Sequence, residues 1–238
     1  DRSSAASDVY KRQVKGVMLA KLPKWALYGS AILAFNAGFV NSTTLVGITH
    51  LAVSHVTGNV TLFAAALVSG DWALFGLVCL TLLAFLFGAI ISGYVVGSRF
   101  FGLGRRYGAV LAFEAVLLLI ALVVIDRGAV WGQVFAAMAC GLQNAMVASY
   151  SGMAIRTTHL TGLSSDMGAT IGNWLAGRPI KKFVLLFQAV LWYAYCGGAV
   201  LGTWAYAGFR HWGLVLPIVI TMTLAVLYHW VILKRRAL

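Results

Sequence analysis

Charge is what this chain has least of. Asp, Glu, Lys and Arg make up 10% of its 238 residues, and only 6 of these side chains are acidic against 18 basic. So little charge, beside 61% hydrophobic residues and a mean hydropathy of +0.88, excludes a soluble domain of this length. The apolar runs are about as long as a bilayer is thick, which points to a polytopic, all-α membrane protein. Cysteine is scarce too. Cys79, Cys140 and Cys196 fall within apolar segments with no metal-ligand spacing, which argues against a disulfide framework. There is no nucleophile elbow, no metal-binding helix signature and no Gly-rich nucleotide loop, so no catalytic residue, metal or cofactor is expected and an enzyme reading has no motif behind it. The net charge of +12 would suit a nucleic acid, but the basic residues lie in short clusters between apolar segments, where they set orientation in the lipid bilayer.

What is present is a duplicated motif. His55-Val56-Thr57-Gly58-Asn59 returns about half a chain later as His159-Leu160-Thr161-Gly162-Leu163. Gly38-Phe39-Val40-Asn41 precedes the first copy and Gly141-Leu142-Gln143-Asn144 the second, while Gly93-x-x-x-Gly97 and Gly198-x-x-x-Gly202 follow them. An ordered series of matches at nearly constant offset indicates an internal duplication. Residues 3–13, SSAASDVYKRQ, match the conceptual translation of a transposase sequencing adapter, so residues 1–13 are set aside and Met18 is a candidate native start. Residues 14–238 then form one transmembrane domain, with repeat one at about 25–125 and repeat two at about 131–233.

Full spans are expected over 25–45, 72–97, 108–125, 131–150, 183–207 and 214–233, with short helices over 58–69 and up to 176. Charge asymmetry decides how the short ones lie. If all eight segments cross, with the N-terminus inside, the Lys and Arg after residue 13 divide ten inside to five outside. If the two motif-bearing segments dip in and return, the division becomes thirteen to two, which the positive-inside rule favours. A helix of about 13 residues rises about 20 Å, enough to reach mid-membrane. The expected architecture is therefore six transmembrane helices plus two re-entrant half-helices as an inverted repeat, with both termini cytoplasmic and a site near the midplane.

A helix N-terminus inside a bilayer presents unpaired N–H groups and a partial positive charge, so two facing ones favour an anion or a hydrogen-bonding solute. Thr57 and Thr161 are expected as N-caps, and Gly58 and Gly162 as points where another backbone comes close. His55 and His159 either bind solute and titrate or brace a buried loop. Asn41, Asn59 and Asn144 either line the pathway or bond the re-entrant backbone. Asp166, in the second half-helix, and Glu114, in an apolar span, are proton-coupling candidates, because carboxylates in hydrocarbon face the bundle interior. The Gly-x-x-x-Gly pairs, together with Gly168-x-x-x-Gly172, are expected to pack helices tightly. Trp72, Trp131, Trp192, Trp212 and Trp230 are expected mostly as interface anchors near segment ends.

Gly38-Phe39-Val40-Asn41 with Ser54-His55-Val56-Thr57-Gly58-Asn59, and Gly141-Leu142-Gln143-Asn144-Ala145 with Thr158-His159-Leu160-Thr161-Gly162, resemble the YoaK family of small bacterial inner-membrane proteins over about residues 22–236. The family's usual acid is replaced by Asn41, and its usual Asn after the second Thr-Gly by Leu163. The resemblance implies a multi-pass protein of the bacterial inner membrane and no particular substrate. The expected function is a small-solute transporter or channel whose site is formed by His55, Thr57, His159, Thr161 and Asp166. The alternative is a non-transporting interaction or assembly protein in which the motifs only hold the fold. A lipid-acting membrane enzyme is a third class, and a homodimer packed through glycine faces is compatible with each.

Overall fold

The computed structural model describes residues 24–97, 105–150 and 157–236; the adapter-like segment, Met18, Lys21, Arg99 and Arg156 lie outside them. Among the described residues eight α-helices follow in order: α1 Lys24–Thr43, α2 Val56–Ser69, α3 Trp72–Val96, α4 Arg105–Val124, α5 Ala129–Tyr150, α6 Leu160–Leu175, α7 Lys182–Phe209 and α8 Val215–Arg236. No strand occurs among the described residues. Among the described residues three helical stretches are long and apolar enough to cross a membrane: Trp72–Val96, Arg106–Arg127 and Lys182–Val231, the last carrying both α7 and most of α8.

The other two long helices, α1 and α5, are the polar interior of the bundle. Ser30, Asn36, Ser42 and Thr43 on α1 and Gln133 and Gln143 on α5 are all buried. Three of them reach across the bundle: Asn36 Nδ2 donates to Thr221 Oγ1 at 2.8 Å, Gln143 Nε2 to the Leu33 carbonyl at 2.9 Å, and Gln133 Nε2 to the Leu51 carbonyl, just past the end of α1, at 2.9 Å. A buried polar group without a partner is costly, so these bonds fix how the helices sit against one another.

Each of these inner helices packs along the third helix of the other half, α1 on α7 and α5 on α3. Glycine makes both contacts possible. A Cβ on Gly38 would strike the Tyr195 carbonyl, one on Gly198 the Phe35 carbonyl, one on Gly141 the Phe85 carbonyl and one on Gly88 the Met138 carbonyl. Farther along, Tyr206 donates to the Gly47 carbonyl at 2.9 Å, so α1 and α7 run parallel. The fourth helices run antiparallel: Tyr107 packs edge-on against Tyr228 at one end, and Asp126 meets His211 at 3.4 Å at the other. The inner pair is antiparallel as well, because Gln143 reaches back to Leu33 while Gln133 reaches forward to Leu51.

The expected glycine pairs need correcting. Added Cβ atoms on Gly93, Gly168 and Gly172 would meet nothing within 4 Å, and Gly97 ends α3 with φ +67°. The segment that matches Gly198-x-x-x-Gly202 is Gly88-x-x-x-Ser92, whose Ser92 is fully buried. The sequence offset misleads here because α6 has 16 residues where α2 has 14, and residues 176–181 follow it where only Gly70 and Asp71 follow α2. Trp72, Trp131, Trp212 and Trp230 are exposed near helix ends, but Trp192 sits in the middle of α7.

Candidate functional site: two docked half-length helices

The first copy of the motif is built from the end of α1. Past Thr43 the chain widens into a π turn over Thr44–Ile48, where the Thr43 and Thr44 hydroxyls donate to carbonyls of the turn before. At His50, with φ +57°, it reverses. Residues 51–54 then run back beside α1, all buried, until Ser54 lies next to Asn41. Asn41 Oδ1 accepts from the Ser54 N–H at 2.9 Å and from its hydroxyl at 2.8 Å, and the Tyr195 side chain lies beside Ser54. Of the carbonyls in this returning segment, Leu51 accepts from Gln133, and Ala52 from Asn59 Nδ2 at 2.8 Å. Side chains thus replace the water that irregular backbone would otherwise need.

The second copy repeats the plan with altered parts. Thr158 Oγ1 donates to Asn144 Oδ1 at 3.1 Å, and Gln143 Nε2 donates to Thr157 Oγ1 at 3.0 Å. Leu163, where the first copy has Asn59, packs against the hydrophobic core instead. In both copies the Asn ahead of the motif clamps the residue just before its His.

Both short helices start one residue after the His. His55 has φ −89°, ψ 65° and His159 φ −94°, ψ 61°, nearly the same inverse γ bend, and neither side chain caps its helix by a hydrogen bond. The first helical bonds match too, Asn59 N–H to the His55 carbonyl at 2.9 Å and Leu163 N–H to the His159 carbonyl at 3.1 Å. Thr57 and Thr161 are therefore not the caps; they are the second residues of α2 and α6. Their carbonyls accept from Thr61 at 3.2 Å and Ser165 at 3.0 Å. Gly58 and Gly162 make room for an imidazole rather than for another backbone, since a Cβ there would strike the ring of His55 or His159. Three N–H groups at each helix start precede the first intrahelical bond and are open to other acceptors.

The two short helices do not pack on each other: α2 lies on α3, and α6 on α7. They converge through α7. Trp192 Nε1 donates to Ser164 Oγ of α6 at 3.1 Å, while the Tyr195 side chain, one turn on, lies beside Ser54 of the first copy. His55, Thr57, His159 and Thr161 are exposed on this chain, Asn59 is buried and Asp166 is half-buried. Glu114 is placed elsewhere. It is buried in α4, which packs on α3, α5 and α8, and its Oε2 has no hydrogen-bond partner among the described residues. Trp192 and Tyr195 were not singled out from the sequence as parts of this site. Their only signal was polar-tipped aromatics mid-way along a span, where such tips seek a partner.

A family model described as a protein of unknown function, DUF1275, matches residues 29–227, from the first turns of α1 to the middle of α8. The chain belongs to the DUF1275 family. The matched region contains both motif copies, both Asn clamps and the four interhelical glycine contacts, so this geometry lies wholly within the DUF1275 region. No curated protein and no solved structure matches the chain.

Proposed function

We propose that this DUF1275 protein is a small-solute transporter or channel of the bacterial inner membrane, with six crossing helices, two re-entrant half-helices and an inverted repeat. Helix direction supports the repeat: α1 opposes α5, and α4 opposes α8. The positive-inside rule puts the ends bearing Lys24, Arg106, Lys182 and Lys234 in the cytoplasm. The observation that carries the reading is the docking of both motif copies within one turn of the middle of α7. Two helix starts with open N–H groups then lie near mid-depth, flanked by His55, Thr57, His159 and Thr161, and they favour an anion or a polar neutral solute. Asp166 is the one carboxylate on either short helix and makes the two sides of the pathway unequal.

The test uses Thr57→Cys and Thr161→Cys in a cysteine-free protein reconstituted in liposomes. Osmotic swelling in small anions and polar neutral solutes should exceed that of empty liposomes, and small thiol reagents should label both cysteines and block swelling. Two unreactive cysteines in a protein that passes none of these solutes would overturn the reading.

The exposure of His55, Thr57 and Thr161 also suits a second reading, an interaction protein whose short helices are covered by a partner or a second copy. In that case a cross-linked partner, and no solute, would protect the cysteines.

A further inference from the structure

The two halves differ most where α1 and α8 meet. The corresponding pair, α5 and α4, packs together closely, whereas α1 and α8 touch far less. They are joined by the Asn36–Thr221 hydrogen bond and separate beyond it toward Lys24 and Arg236. The gap is a cavity of about 400 Å³, walled by side chains such as Leu111, Met146 and Leu224. Tyr28 and Ile32 of α1 and Leu227 and Val231 of α8 line it and are exposed on the outer surface of the bundle, so its mouth opens sideways between these two helices.

Such a cavity has too few polar groups to hold ordered water, and empty it would forfeit dispersion contacts along its whole lining. Its size lies within the range of sites that take a small organic molecule. Charge completes the description. Arg106 precedes the lining residue Tyr107, and Lys234 lies one turn beyond Val231 with its ammonium 3.9 Å over the Trp230 ring; both are exposed. The acids of the described residues, Asp71, Glu114, Asp126 and Asp166, lie on other turns and leave these cations without a carboxylate at this end.

We propose that this cavity is a lipid site that takes one acyl chain of an anionic phospholipid, entering between α1 and α8, with the phosphate held by Arg106 and Lys234. Basic residues beside a gap between membrane helices are suited to anionic headgroups. The buried Asn36–Thr221 contact closes the inner end, so the chain stays clear of the polar interior of α1 and α5. The inference needs the bundle to lie in a bilayer, but it does not depend on transport through the half-helices.

The protein would be placed in phosphatidylcholine nanodiscs containing a trace of phosphatidylglycerol with a photoactivatable acyl chain, and labelled peptides mapped by mass spectrometry. Label is expected on the α1, α4 and α8 segments around Leu33, Leu111 and Leu224. Gly29 lines the cavity and has nothing within 4 Å of an added Cβ, so Gly29→Leu starts its side chain in open space beside the cavity. It should lower cavity labelling about tenfold while leaving label on the exposed α3 residues Leu83 and Phe87 unchanged. Ile32→Trp at the mouth should act alike. Arg106→Gln and Lys234→Gln should each lower the preference for phosphatidylglycerol over a phosphatidylcholine probe about fivefold. Label spread evenly over α3 and the cavity and unmoved by Gly29→Leu would overturn the site, and equal labelling by both probes in the unmodified protein would overturn the anionic headgroup.

Discussion

A single methyl group has opposite meanings at Gly58 and at Gly141. At Gly58 and Gly162 the added carbon would meet an imidazole whose side chain is exposed and can swing away. Alanine also favours the helix by about 1 kcal/mol, so Gly58→Ala and Gly162→Ala should shift stability by less than about 1 kcal/mol while moving the His ring off the helix start. At Gly88, Gly141 and Gly198 the same carbon would meet a backbone carbonyl of a neighbouring helix, which cannot yield without separating the pair. Gly141→Ala should therefore cost roughly 3 kcal/mol or abolish folded yield. Thermal unfolding in detergent checks both, and equal losses at Gly58 and Gly141 would contradict the close approach. Asn41 illustrates the same dependence on what is touched. Its Oδ1 only accepts, from two groups of Ser54, so the acid that the family resemblance leads one to expect at this position could serve the same clamp.

At the scale of elements, length and starting point matter more than hydropathy. The 14 residues of α2 rise about 21 Å against a hydrocarbon core of about 30 Å, while the 25 of α3 rise about 37 Å. Because Ser54 lies beside Asn41, seven residues before the end of the π turn, α2 begins well inside the bundle, and in the proposed re-entrant arrangement it climbs back to the side it came from. A lone cysteine at Ser69 should thus react with an impermeant thiol reagent on intact cells, and one at Arg178, after α6, only after permeabilisation. The reverse result at Ser69 would mean that α2 crosses the membrane, that the repeats are parallel, and that the proposed pathway has no place to form.

The whole molecule is an exchange of parts between halves. With α1 on α7 and α5 on α3, neither half contains the partner of its own inner helix. A chain ending at Arg127 should be degraded when expressed alone, with Gly38, Gly88 and the Phe35 and Phe85 carbonyls left without their partner helices, whereas the two halves expressed together should copurify. Stable, separate halves would argue against this interlocking. Composition and apolar run length were enough to point to a helical membrane protein and to eight helical segments with ends within a few residues of those observed among the described residues, and the residues of the two motifs carried the resemblance to its family. These follow from apolar run length and from local signals such as the polar residues that end α1 and the glycines at the turns. Tertiary structure alone decided which glycines touch, that His55 and His159 fold over Gly58 and Gly162, that Asn41 and Asn144 bind the returning chain, and that α1 and α8 part to leave a cavity. The glycine contacts and the cavity depend on the register between helices distant in sequence, the His and Asn contacts on the path the chain takes between neighbouring helices. That register is set by a slightly longer α6, a longer link after it and a few buried hydrogen bonds, none of which changes the apolar pattern along any one helix.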